Sequence, residues 1–193
     1  LADALAHRLG VKAEFTTGEW SGLLAGLQAG KYDVVINQVG ITDQRKQAFD
    51  FSTPYTISSP QLIVRKDDKR VFKSLADLRG KKLGVGEGTN FADMAKAVGG
   101  IDIKTYPGSS EYLQDLALGR IDAAMNDSLL IPYIIKKTHL PLKAGAPVGQ
   151  IEESGIAFVK GNPKFKAAVD KALADMEADG SFAKISNKWF DRD

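Results

Sequence analysis

At 193 residues with 44% apolar content, the chain can bury a substantial core, as one domain or as two modest lobes. Its 26 Lys and Arg against 24 Asp and Glu leave a net charge of +2, which excludes the basic stripe that a nucleic acid or an anionic membrane surface would require. The absence of cysteine removes disulfides, thiolate chemistry and Cys-based metal sites together, and apolar runs such as Leu129 to Ile135 fall far short of a membrane span.

In chain order, Leu1 to Gly10 reads as a helix already under way, with Leu1, Leu5 and Leu9 on one face and Gly10 ending it. No cap residue or strand precedes it, so an N-terminal segment carrying any export signal is expected to lie outside this sequence. Val11 to Thr16 has strand character, Glu19 to Ala29 is an amphipathic helix ended by Gly30, and Asp33-Val34-Val35-Ile36 suits a buried parallel strand. Downstream the alternation continues: strand Lys82 to Val85, helix Asn90 to Val98, strand Asp102 to Tyr106, helix Ser110 to Leu118, strand Asp122 to Met125 and helix Ser128 to Lys137. Such alternation predicts an α/β fold with parallel sheets. Beyond Gly155 come a strand at Ile156 to Val159, a helix after Asn162-Pro163 stopped by Gly180, and a last helix carrying Phe182, Ile185 and Trp189.

The two halves echo each other. Leu27-Gln-Ala-Gly30-Lys31-Tyr-Asp33-Val-Val-Ile-Asn37 aligns with Leu116-Ala-Leu-Gly119-Arg120-Ile-Asp122-Ala-Ala-Met-Asn126, each placing a helix end, a Gly turn and a buried strand in the same order. Two copies are too few for a solenoid and fit two similar lobes. The charged stretch Arg65 to Arg70 reads as a solvated break between them.

Three stretches carry candidate chemistry. The first is Ile36 to Arg45, where a buried strand runs through polar residues into a helical turn, the place where ligands of open α/β sheets bind. Arg45 there either clamps a carboxylate through two parallel hydrogen bonds, with Thr42 and backbone N–H groups as further donors, or pairs with Asp43 or Asp50 while Thr42-Asp43 caps the turn; spacing does not separate the two. The second is Asn126-Asp127, the echo of Asn37-Gln38, whose acid either receives an ammonium or caps a helix beginning at Ser128. The third is the Gly-rich turn from Leu83 to Asn90. It lacks the last Gly of a dinucleotide fingerprint, has no P-loop lysine and carries Glu87, so it suits a small anion rather than a nucleotide. Trp20 either packs in the core or walls a pocket. Neither His7 nor His139 has an acid or nucleophile in a catalytic arrangement, and no Ser-His-Asp, H-E-x-x-H or paired-carboxylate constellation stands out.

At these residues the sequence resembles the periplasmic polar amino-acid-binding proteins of ABC importers, solute-binding protein family 3, and within it the cystine-binding branch. The resemblance spans nearly the whole chain and rests on Trp20-Ser21-Gly22-Leu23, Asp33 to Gln38, Ile41 to Arg45, Phe49 to Tyr55, Gly84 to Asn90, Gly119 to Ala123 and Lys188-Trp189-Phe190. It implies a type II two-lobed fold of mostly parallel sheets flanked by helices, with a ligand cleft between lobes joined by two crossing strands. Lobe one would hold residues 1–64 and 151–193 and lobe two residues 65–150, with the first strand of lobe one missing from this sequence.

The resemblance also implies the site. Arg45 would clamp the α-carboxylate with help from Thr89 and Asn90 or their backbone beside Gly88, and Asp127 would take the α-ammonium. Gln38 and Gly40 would offer backbone groups near Thr42, and Trp20 would line the side-chain pocket. Position 40 is commonly Ser or Thr in similar proteins, so Gly40 retains only the backbone contact. The implied protein is a periplasmic monomer that captures a free L-amino acid, cystine or a similar polar one, by closure and delivers it to the permease of an ABC transporter. It would need no cofactor, metal or catalytic residue and insert in no membrane. Two other readings use the same fold: a dehydratase-like enzyme, for which Glu87 or Glu152 would have to supply the acid, and a ligand-sensing module of a larger receptor.

Overall fold

The computed structural model describes residues 1–190. Residues 191–193, the end of the range assigned above to lobe one, lie outside the described residues.

The chain opens with α1 (Ala2–Arg8), α2 (Trp20–Gln28), β1 (Val34–Gly40), α3 (Asp43–Ala48), β2 (Phe49–Phe51), β3 (Thr56–Ser58) and β4 (Pro60–Arg65). A 3-10 turn at Leu75–Leu78 leads to β5 (Lys82–Gly86), α4 (Asn90–Val98), β6 (Asp102–Tyr106), α5 (Ser109–Ala117), β7 (Ala123–Asp127) and α6 (Leu130–Thr138). It ends with β8 (Leu142–Pro147), β9 (Glu152–Val159), α7 (Pro163–Ala178) and α8 (Ser181–Phe190). These elements fall into two units: Leu1–Gly18 with Gly22–Ile57 and the chain from Glu153 onward, and Glu19–Ser21 with Ser58–Glu152.

In the first unit β9 runs antiparallel to both β1 and β2 and also pairs with β3. Its core gathers Ile156 and Phe158 of β9, Tyr55, Leu5 of α1 and Val169, Ala172, Leu173 and Met176 of α7. The α7 residues recur at helical spacing, which puts them on one stripe, and each large side chain so buried stabilises the unit by roughly 2 kcal/mol. Asn162 begins α7 as predicted, its side chain accepting from the Phe165 N–H at 3.1 Å ahead of Pro163.

The second unit is a five-stranded sheet in the order β6-β5-β7-β4-β8. Strand alternation divides its side chains between two faces. Leu62 and Val64 of β4 and Ala123 and Met125 of β7 pack with α4 and the 3-10 turn, whereas Ile63 and Ala124 pack with α5 and α6.

The internal echo is a real structural repeat. At the end of α2 the Gly30 N–H reaches Leu27 O and the Lys31 N–H reaches Gly26 O, both at 3.0 Å; at the end of α5 Gly119 reaches Leu116 O at 3.0 Å and Arg120 reaches Asp115 O at 2.9 Å. Both turns need a left-handed residue, and Gly30 and Gly119 supply it at φ of 70° and 75°.

Several expectations are corrected. The mostly parallel sheets reduce to the β5·β6 and β5·β7 pairs; β4 runs antiparallel to β7 and β8, as β9 does to β1 and β2. A short apolar run looks the same whichever way its neighbour runs, so periodicity carries no direction. Val11 to Thr16 forms no strand: it pairs with no described strand, and Val11 and Phe15 stand exposed. The stretch Arg65 to Arg70 is a turn with Lys66, Asp67, Lys69 and Arg70 exposed, as expected, but Asp68 and the two arginines are tied down. Asp68 keeps only 5% of its side chain exposed between Arg65 and Arg70, Arg70 reaches Asp122 at 2.7 Å, and Arg65 donates to the carbonyls of Leu116 and Ile121 at the end of α5. The Arg70 hydrogen bond holds the Asp68 carboxyl at about 2, against the opposing effect of burial.

Candidate functional site

The first unit contributes the carboxyl end of β1 and the turn into α3. Between Val35 and Val39 the β1·β9 register shifts, and Gln38 inside that bulge adopts φ 49°, a left-handed conformation costly for a residue with a side chain. The Tyr55 hydroxyl accepts from the Gln38 N–H at 2.7 Å and so fixes it. Thr42 caps α3 by accepting from the Arg45 N–H at 3.2 Å, as the sequence suggested. Arg45 is half-buried, and its Nη1 donates to Gly40 O at 2.9 Å, which folds the guanidinium back over the end of β1. Asp43, one partner the sequence offered for Arg45, forms a salt bridge with Lys46 at 3.2 Å instead. Gln38, Gly40, Thr42 and Arg45 are thus brought to one strand end.

The second unit contributes the carboxyl ends of β5 and β7. These strands are adjacent and parallel, so the turn holding Gly88, Thr89 and Asn90 and the residue Asp127 share one edge of the sheet, the place where open α/β sheets bind ligands. Thr89 is buried and its hydroxyl is committed, donating to Gly86 O at 2.7 Å and accepting from the Ala92 N–H at 3.2 Å. This cap leaves the backbone N–H groups of Asn90 and Phe91 at the start of α4 for an anion. Asn90 Nδ2 donates to Glu152 Oε2 at 2.6 Å. A carboxylate only accepts, so the amide edge toward Glu152 is the N–H edge and the Asn90 carbonyl oxygen faces elsewhere. The second Nδ2 hydrogen is not used by this bond, so the Asn90 side chain and the backbone at the start of α4, the two options the resemblance left, both remain.

Asp127 caps a turn, but not the helix expected at Ser128: its Oδ1 accepts from the Leu129 N–H at 2.8 Å, and α6 starts one residue later. Its Oδ2 accepts from the Ser58 hydroxyl. A carboxylate has about four acceptor positions, so two remain for a cation. Beside it Asn126 donates to the Tyr112 hydroxyl and accepts from the Asp127 N–H at 2.7 Å, and burial pushes the Tyr112 phenol up to about 12. Trp20 opens α2 half-buried, its Cδ1 3.8 Å from where a Cβ on Gly86 would stand, so the indole lies against the end of β5. Among the described residues no cluster of three His, Asp or Glu side chains suits a metal ion, and no helix is long and apolar enough to cross a membrane. Sequence reading missed Tyr55 and Ser58, which act through contacts distant in the chain, and it named Glu152 only as an acid.

An α/β protein of two units, each presenting polar groups at the carboxyl ends of its strands, belongs to the class built to hold small polar solutes. The chain matches the bacterial extracellular solute-binding proteins, family 3, over residues 1–192, and is a member of that family. It is 44% identical over 193 residues to the L-cystine-binding protein TcyJ of Escherichia coli strain K12, covering all of this chain and 73% of that one. Its fold is shared by an ancestral arginine-binding protein bound to glutamine, at TM-score 0.92 and 38% identity over 98% of this chain and 84% of the other. The ancestral amino acid-binding protein AncCDT-1, a precursor of cyclohexadienyl dehydratase, matches at TM-score 0.90 and 35% identity over 98% and 82%.

Proposed function

We propose that this protein is an extracytoplasmic receptor that captures one free polar amino acid and delivers it to the permease of an ABC transporter. The observation that carries this reading is a fixed cation and a fixed anion, each half-buried and oriented by neighbouring backbone at the carboxyl end of a strand: Arg45 held by Gly40 O, and Asp127 held by the Leu129 N–H. A zwitterion needs one of each, because its two charges leave water together only if both find partners. In this reading Arg45 and Asn90, through its side chain or its backbone, bind the α-carboxylate, Asp127 the α-ammonium, and Gln38, Gly40 and Thr42 complete the polar contacts. Trp20 walls the side-chain pocket beside Gly88 and Thr89. The two units act as the two lobes, and a ligand that engages both favours the closed form by its differential affinity.

The relatives support the ligand class: TcyJ is named for L-cystine, and the structural neighbour holds glutamine. Cystine is the first candidate, at the 44% relative's precedent. The same relationships support a periplasmic location and a membrane partner, to which the protein in this reading hands its solute as a monomer. A second reading, a dehydratase, draws on the likeness to the dehydratase precursor. It has to use Glu87, which is exposed, or Glu152, which Asn90 engages, and so has less behind it.

Thermal unfolding with L-cystine, L-arginine, L-glutamine and L-histidine tests the proposal. A ligand at a hundred times its Kd adds about 2.7 kcal/mol to the native state, which for a protein of this size raises Tm by about 5–10 °C. A rise with one of them supports the receptor; no rise with any, together with turnover of prephenate, replaces it with the enzyme.

A further inference from the structure

Apart from the short excursion Glu19–Ser21, the chain passes from the first unit to the second after Ile57 and returns after Glu152. At both passages the terminal residue of the second unit commits its side chain to a candidate ligand residue of that unit. Ser58 donates to Asp127 Oδ2, and Glu152 Oε2 accepts from Asn90 Nδ2 at 2.6 Å. The first tie follows from the sheet. The antiparallel β4·β7 pairing sets Pro60 opposite Asp127, and the ladder continues outward as Ser128 N–H to Ser59 O at 3.0 Å and Ser59 N–H to Ser128 Oγ at 3.1 Å. This brings Ser58 alongside the carboxylate that ends β7.

We propose that Ser58 and Glu152 are positioning residues that set the orientation in which Asp127 and Asn90 meet the amino acid; the inference rests on the receptor reading above. With only the Leu129 N–H on Oδ1, the Asp127 carboxylate pivots about that bond. The Ser58 hydroxyl on Oδ2 stops the pivot, so both oxygens hold their remaining acceptor positions toward the ammonium before it arrives. Glu152 does the equivalent for Asn90. By taking an Nδ2 hydrogen it decides which edge of the amide is acceptor and which is donor, a choice an amide otherwise makes freely. Neither residue needs to touch the ligand.

The test is calorimetric titration of the whole protein and its Ser58→Ala, Ser58→Thr, Glu152→Ala and Glu152→Gln variants. The probes are L-cystine, L-arginine and L-glutamine and, for whichever binds, the analogue with hydrogen in place of the α-ammonium. Losing a hydrogen bond to a charged group weakens binding about tenfold, so Ser58→Ala is expected to bind the amino acid about tenfold less tightly and the analogue less than twofold less tightly. Ser58→Thr keeps the hydroxyl and stays within about threefold of the parent protein. Glu152→Ala loses about tenfold, and Glu152→Gln, whose amide oxygen still accepts from Asn90, stays within about threefold. For Ser58→Ala a purely structural role predicts equal losses for amino acid and analogue. That result, or Glu152→Gln binding as weakly as Glu152→Ala, overturns the proposal while leaving the receptor intact. If the parent protein binds none of the probes, the receptor reading fails and the proposal with it.

Discussion

Replacing Thr89 by valine removes one oxygen from the start of α4 and keeps the shape of the side chain. Two bonds go with it: the 2.7 Å donation to Gly86 O and the 3.2 Å acceptance from the Ala92 N–H. Loss of a helix cap costs about 1 kcal/mol, and a buried Gly86 carbonyl left with only the long 3.4 Å bond from the Thr89 N–H up to about as much again, so the native state should lose about 2 kcal/mol at most. For a protein of this length that lowers Tm by about 4–8 °C at most. Thr89→Ser keeps the oxygen and should lose well under 1 kcal/mol, chiefly the packing of one methyl group. Urea denaturation of the three proteins measures the difference, and amino-acid titration of the same samples separates folding from binding. Because the hydroxyl is spent on the cap, Thr89→Val should keep ligand affinity within about threefold at a temperature where it is folded. Unchanged stability would refute the capping account. Unchanged stability with collapsed affinity would move the Thr89 hydroxyl onto the ligand.

Three further outcomes follow from the same bonds. Asp68 is held at about 2, below its unfolded value of 3.8, so its contribution is complete above about pH 4 and disappears as pH falls toward 2; the stability gap between the parent protein and Asp68→Asn should close across that window in urea titrations. Alanine at Gly30 or Gly119 meets no atom closer than 3.9 Å and suffers only the left-handed backbone, so each substitution should cost about 1 kcal/mol, and a clearly unequal pair would deny that the two turns are equivalent. Tyr55→Phe removes the acceptor of the Gln38 N–H and should cost about 1 kcal/mol, whereas Gln38→Gly relieves the φ of 49° and should be neutral or stabilising in the same denaturation assay.

Local signals made much of this fold legible. The Asn162-Pro163 start signal, the glycines after α2 and α5, and hydrophobic periodicity placed α7 after Asn162, α4 at Asn90–Val98 and β6 at Asp102–Tyr106 as observed. What failed was non-local. Strand β4 hides behind Ser58-Ser59-Pro60, and β8 contains Gly145 and ends at Pro147, residues that signal turns until a partner strand supplies the hydrogen bonds. Strand direction has no local signature, so Asp33 to Ile36 reads as a parallel strand although β1 runs antiparallel to β9. A cap is one of the two roles the sequence offers Thr42, from its place before α3, but the hold of Gly40 O on Arg45 needed the strand to run on through the bulge at Gln38. The ties from Ser58 to Asp127 and from Asn90 to Glu152 join residues 69 and 62 positions apart, beyond any spacing rule.

The central claim is that Arg45 binds an amino-acid carboxylate, and the most direct measurement is a calorimetric cycle of the parent protein and Arg45→Ala against the bound amino acid and its α-carboxamide. Truncating one member of a buried, hydrogen-bonded charge pair costs several kcal/mol, about a hundredfold or more in Kd. The parent protein should prefer the amino acid by that factor, and Arg45→Ala should bind it weakly and hardly distinguish it from the carboxamide. If Arg45→Ala binds the amino acid as tightly as the parent protein, or keeps the full preference for the carboxylate, Arg45 is not the clamp and the account fails at its centre.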